Sequence, residues 1–163
     1  MDGSSWQHLC TTRAPASVIL IRLMVGLVFV SEGVQKFLFA AELGAGRFER
    51  IGFAQPNVAY LVACVEVTCG VLLVLGLLTR LAAIPLIIVM LTAITTTKLP
   101  ILLGHDLWGF QVRKLSEYGF WAMAHEARTD WAMLLGSVFL LIVGAGRFSI
   151  DARLFRCRPS SAA

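Results

Sequence analysis

Charge is what this chain has least of. Lys, Arg, Asp and Glu make up 15% of its 163 residues, against 58% hydrophobic residues and a mean hydropathy of +0.79. A lone water-soluble globule of this size cannot hide so much apolar surface, so that class is excluded. Reactive motifs are equally sparse. The four cysteines include no C-x-x-C, which removes the simplest thiol–disulfide mechanism. Cys64 and Cys69 would lie about 140° apart around a helix, and Cys10 and Cys157 stand near opposite ends, so all four read as small packing residues. No phosphate-cradling glycine loop, nucleophile elbow, H-E-x-x-H or haem-attachment sequence is present, and no covalently bound cofactor is expected. His105 and His125 have no ligand-spaced partner, so no metal centre is expected either. The net charge of +4 comes without a basic stripe interleaved with stacking aromatics, so nucleic acid is not an expected partner.

What the chain does have is long apolar runs, at residues 17–39, 58–78, 81–103 and 131–145, the last extended by its flanks to Thr129–Phe148. About 20 residues are enough to cross a bilayer as a helix. In lipid every backbone polar group must be satisfied within its own segment, so such runs become helices. The expected fold is all-α, an integral membrane four-helix bundle with helices at about 17–39, 58–78, 81–103 and 129–148. Residues 1–16 read as a flexible N-terminus and 149–163 as a basic tail. The first run is too long for the core of a cleaved signal peptide and is broken by Glu32 and Lys36, so it reads as an uncleaved span. Thr79-Arg80 is a short inner turn; the outer loops, 40–57 and 104–129, are longer. The second of these mixes charges with Trp108, Phe110, Tyr118, Phe120 and Trp121, which suits a segment lying along lipid headgroups. Arg13, Arg80 and a cluster at Arg147, Arg153, Arg156 and Arg158 put both termini in the cytoplasm under the positive-inside rule.

Against this apolar background Arg22, Glu32, Lys36, Glu66 and Lys98 stand out, because a charge in lipid costs a few kcal/mol or more unless paired or hydrated. Counted along their helices, Glu32 and Glu66 should lie at nearly the same depth in the outer half of the bilayer. Lys36 and Lys98 lie near the outer ends of their helices, Thr92, Thr95, Thr96 and Thr97 precede Lys98, and Asp130 opens the fourth helix on the same side. Glu32 and Lys36 form an i, i+4 pair with the acid first, the better order. Glu32, Lys36, Glu66, Lys98 and Asp130 are therefore the candidates for ligand binding or proton handling. The plainer alternatives are that both lysines reach outward to headgroups, or that a Glu–Lys network only fixes which helix faces which. Arg22, Arg80, Glu126 and Arg128 read as structural or interfacial polar residues, with Arg22 expected to reach the cytoplasmic headgroups.

Three stretches carry a resemblance. They are Arg22-Leu-Met-Val-Gly-Leu-Val-Phe with Glu32-Gly-Val-Gln-Lys36-Phe; Val65-Glu66 through the glycine-rich helix to Thr79-Arg80-Leu-Ala-Ala; and Gly119-Phe-Trp-Ala-Met-Ala-His-Glu126-Ala-Arg128-Thr-Asp130 through Gly136. Together they resemble the DoxX family of small bacterial membrane proteins. The resemblance implies a four-helix protein of the bacterial inner membrane. Relatives are named for a subunit of a thiosulfate:quinone oxidoreductase, and some are linked to oxidative or thiol stress. Three functions stay open. One is a membrane subunit that handles quinone, or links a soluble redox enzyme or second membrane subunit to the quinone pool. Another is a non-catalytic anchor for soluble redox proteins. The third is a small proton-coupled transporter, working as a homodimer.

Overall fold

The computed structural model describes residues 14–53 and 55–154. The bulk of the N-terminal segment, with Cys10 and Arg13, and the end of the basic tail, with Arg156, Cys157 and Arg158, fall outside them. Among the described residues the chain is all-helical apart from an isolated bridge between Leu107 and Phe110. In chain order the helices are α1 (Val18–Leu38), α2 (Ala45–Ile51), α3 (Pro56–Leu75) and α4 (Thr79–Ala93). A π-helical turn, Ile94–Lys98, then leads into α5 (Leu99–Leu103), followed by α6 (Phe120–Val143) and α7 (Ile150–Leu154). Three segments are long and apolar enough to cross a membrane: Val18–Leu38, Asn57–Leu75 and Thr79–Leu103. The fourth long helix, α6, carries His125, Glu126, Arg128 and Asp130 in its first half and does not join them. The fold is thus established as all-helical with three candidate spans.

The α1–α3 pair comes together through small residues. A Cβ on Gly26 would lie 2.9 Å from the carbonyl oxygen of Gly70, and a Cβ on Gly70 would lie 2.9 Å from that of Gly26. Farther along, a Cβ on Gly33 would meet the Ala63 carbonyl at 2.9 Å. Gly26 and Gly33 on α1 thus match Gly70 and Ala63 on α3 at the same seven-residue spacing, in antiparallel order. Close backbone approach of this kind is how membrane helices gain dispersion contact without a hydrophobic driving force. Phe29, Leu73, Leu86 and Leu140, one from each long helix, fill the centre and are essentially inaccessible.

The connection between α3 and α4 is Gly76–Leu78, and Thr79-Arg80 already lies inside α4. Gly76 has φ of +68°, and the Leu77 N–H turns back to the Leu72 carbonyl, which ends α3 short of residue 78. Asp151 closes this turn from α7. Its Oδ1 accepts from the Leu78 N–H at 2.8 Å and its Oδ2 from the Thr79 N–H at 3.1 Å, while its own N–H donates to the Gly76 carbonyl at 2.9 Å. Two amides otherwise orphaned at the start of α4 are satisfied. Arg22 does not reach out to headgroups. It is 3% exposed and donates to the Ala145 carbonyl at 2.6 Å and the Phe148 carbonyl at 2.7 Å, because the irregular stretch after α6 offers it unpaired carbonyls.

Two other boundaries differ from the apolar pattern. α6 begins at Phe120 rather than near Thr129, since Ala, Met, Glu and Arg favour helix there, and hydropathy marks lipid depth rather than helix ends. The π turn sits where Pro100 brings no N–H to continue the α ladder. The hydroxyls of Thr95, Thr96 and Thr97 bond back to carbonyls of Leu91, Thr92 and Ala93, which loosens the same turn.

Candidate functional site

At the end of the molecule away from the Gly76–Leu78 turn, the long helices part around a cavity of about 630 Å³. Glu32, Lys36, Glu66, Lys98 and Asp130 all line it, together with an apolar wall that includes Phe29, Val65, Val89 and Met133. Two ion pairs organise its polar groups. The Lys36 Nζ lies 2.5 Å from Glu66 Oε2, joining α1 to α3; their side chains are 11% and 3% exposed. The Lys98 Nζ lies 3.1 Å from Asp130 Oδ2, joining the π turn to α6, in a charge contact not aligned as a hydrogen bond. One salt bridge thus ties α1 to α3 and another ties the π turn to α6, and the cavity takes side chains from both.

Local structure explains both placements. Lys36 lies one turn beyond Gly33, and helical side chains tilt toward the N-terminus. Its chain therefore runs back along the contact that Gly33 makes with Ala63, one turn from Glu66. Lys98 closes the π turn, whose extra residue resets the rotation of everything after it relative to a regular α-helix. Glu32 is different. Its carboxylate is 53% exposed and lies 4.0 Å from Lys36 Nζ, so it stands at the cavity margin rather than in a buried network. The Lys36 Nζ also reaches the Glu32 carbonyl oxygen at 3.5 Å.

The remaining polar residues divide by location. Glu126 lines the cavity and pairs with Arg113 of the loop at 3.0 Å. Arg128 donates to His125 Nε2 at 2.8 Å on an exposed face, and Arg80 donates to the Ile142 carbonyl at 3.2 Å. Neither of the latter is among the residues that line the cavity. Cys64 and Cys69 are free thiols. Among the described residues no group of His, Cys, Asp and Glu is arranged to hold a metal ion.

Sequence reasoning missed the cavity's cover. Arg47, Phe48 and Ile51 come from α2, and Phe53 follows it. The Phe48 and Phe53 rings stand 5.3 Å apart, and Phe53 and Phe110 stand 5.1 Å apart. The Gln111 N–H donates to the Ile51 carbonyl at 2.8 Å, tying the 104–119 loop to α2. Read as a mixed-charge loop, 40–57 offered one usable signal: the run Ala45–Ile51 has no proline and ends at a glycine, the mark of a short helix.

A family model described as DoxX matches residues 17–99. The uncharacterized membrane protein Rv3486 of Mycobacterium tuberculosis is 54% identical over 151 residues, covering 92% of this chain and 88% of its own length. CatD of Bacillus subtilis, provisionally named an oxidoreductase, is 28% identical over 139 residues, covering 85% of this chain and 87% of its own length. No solved structure matches the chain at a significant level. With three candidate spans, half of its length matched by the family model and a close membrane-protein relative, the chain belongs to the DoxX family of membrane proteins.

Proposed function

We propose that this protein handles quinone in the bacterial inner membrane as a subunit without a bound redox carrier of its own, coupling a partner redox enzyme to the quinone pool. The observation that carries the reading is the pairing of two salt bridges, Lys36–Glu66 and Lys98–Asp130, with an apolar-walled cavity of about 630 Å³. That is the size and lining of a small-molecule site: mostly apolar, with a few convergent polar groups. A quinone supplies a flat apolar ring with two carbonyl acceptors, and it accepts electrons and protons together. Lys36 and Lys98 would donate to the carbonyl oxygens and hold charge there. Glu66 and Asp130 keep the ammonium groups oriented and stand ready to pass protons. Electrons would come from the partner, a soluble enzyme or a second membrane subunit. The provisional oxidoreductase name of the Bacillus relative points the same way.

The topology that suits this reading has four spans. In it the apolar second half of α6 completes the crossing, its charged first half rises to the headgroups, and both termini lie in the cytoplasm. The cavity then falls in the outer half of the bilayer.

The test is binding of a short-chain ubiquinone or menaquinone analogue to purified protein in nanodiscs. Glu66→Gln, which keeps the shape and removes the charge partner of Lys36, should weaken binding by about tenfold or more. Equal affinity in the variant would remove the reading.

A further inference from the structure

The cavity has unlike sides. Glu32 and Thr129, both exposed, line it on α1 and α6. Leu61 and Ile88 also line it, on α3 and α4, and they are 65% and 58% exposed. A residue that both lines a cavity and lies open to the outside marks a mouth. The mouth at Glu32 and Thr129 is therefore polar, while the one between two candidate membrane spans, Asn57–Leu75 and Thr79–Leu103, is apolar at Leu61 and Ile88, with exposed Thr92 one turn beyond Ile88. In a bilayer that gap faces lipid tails, not water. Val58, Val62 and Pro85, half-buried on the same two helices, add to the apolar lining, and the Lys36–Glu66 pair lines the same cavity. The path thus grades from hydrocarbon outside to charge inside.

We infer that the site takes a membrane-resident amphiphile, whose polar head sits at the Lys36–Glu66 pair while its hydrocarbon tail leaves between Leu61 and Ile88 into the lipid. This rests on the quinone reading and makes it narrower: the substrate class is an isoprenoid-tailed quinone drawn sideways from the bilayer, not a soluble ring compound entering through the loops. The tail is held because its methylenes exchange lipid contacts for Leu61 and Ile88 at little cost while the head gains two cationic donors. The polar mouth beside Glu32 and Thr129 suits water and protons rather than a tail.

The experiment compares a tailless and a decyl-tailed ubiquinone for binding to the full chain in nanodiscs, in wild type and in Leu61→Trp/Ile88→Trp. Filling the gap should weaken the decyl-tailed ligand by about tenfold or more and the tailless one by less than about twofold, since several methylenes lose their place while the head site is untouched. Unchanged affinity for both ligands overturns the lateral path and leaves the quinone reading standing. An equal fall for both also overturns it, because the substitutions then act on the head site or the fold. A milder pair, Leu61→Ala/Ile88→Ala, leaves the gap open and should keep the decyl-tailed ligand within about twofold of wild type; a tenfold loss there would overturn blockage of the path as the cause. Failure of wild type to bind either ligand sinks the quinone reading itself, and this inference with it.

Discussion

Glu66 is 2% exposed and has Lys36 at 2.5 Å, so the two side chains stand or fall together. Glu66→Leu leaves an ammonium buried without its partner and should cost about 3 kcal/mol. Adding Lys36→Met to it should recover most of that loss, read as thermal unfolding in detergent. A double variant no more stable than the single one would show that the pair is not a unit. Asp151→Ala should destabilise the fold by about 1–3 kcal/mol, since it orphans the Leu78 and Thr79 amides, with Asp151→Asn keeping about half of the bonding. Glu66 and Lys36 were legible in the sequence because a charge in an apolar run is anomalous wherever it points. The half-exposed position of Glu32 was not, because hydropathy carries depth but little rotation in a helix that is apolar all round. Asp151 gave no signal at all. Its role depends on the chain after α6 folding back onto the α3–α4 turn, and that is a tertiary fact.

Along the elements, two features set the site's geometry. The first is the Gly26–Gly70 contact. In Gly70→Ile a side chain must occupy space already held by Val30 and the Gly26 carbonyl, so α1 and α3 separate, at a cost of about 1–3 kcal/mol. The Lys36–Glu66 coupling measured by the double-variant cycle should shrink in the same background. The second is the π turn before Pro100. Deleting Thr97 returns the chain to α register and swings Lys98 by about 100° relative to the turns that precede it. The Lys98–Asp130 coupling energy should then fall to near zero; a persistent coupling would mean the helix has another way to present the lysine. The positions of the apolar runs were readable from composition. Their ends were not, because Gly76, Leu78 and Gly119 stop or start helices through backbone angles that hydropathy does not record.

For the molecule as a whole, the proposed four-span topology makes a direct prediction. With native cysteines replaced by serine, Lys114→Cys in the 104–119 loop should react with an impermeant maleimide in intact cells, and Leu154→Cys only after permeabilisation. Both positions are exposed, so the reagent's access is set by the bilayer. Labelling of the two on the same side would place α6 outside the membrane. The molecule is also unevenly fastened. Around the Gly76–Leu78 turn, Arg22 and Asp151 stitch α1, the α3–α4 turn and the tail end together through five hydrogen bonds to backbone groups. At the cavity end, among the described residues, the fastening is by side chains paired with side chains: Lys36–Glu66, Lys98–Asp130 and, from the loop, the exposed Arg113 with Glu126. Such a body behaves like tweezers, with a stiff joint at one tip and prongs that part at the other. A guest wedged between the prongs would spread them while the joint stays shut, so occupancy would be felt by whatever rests on the open tips and scarcely at all by whatever grips the joint.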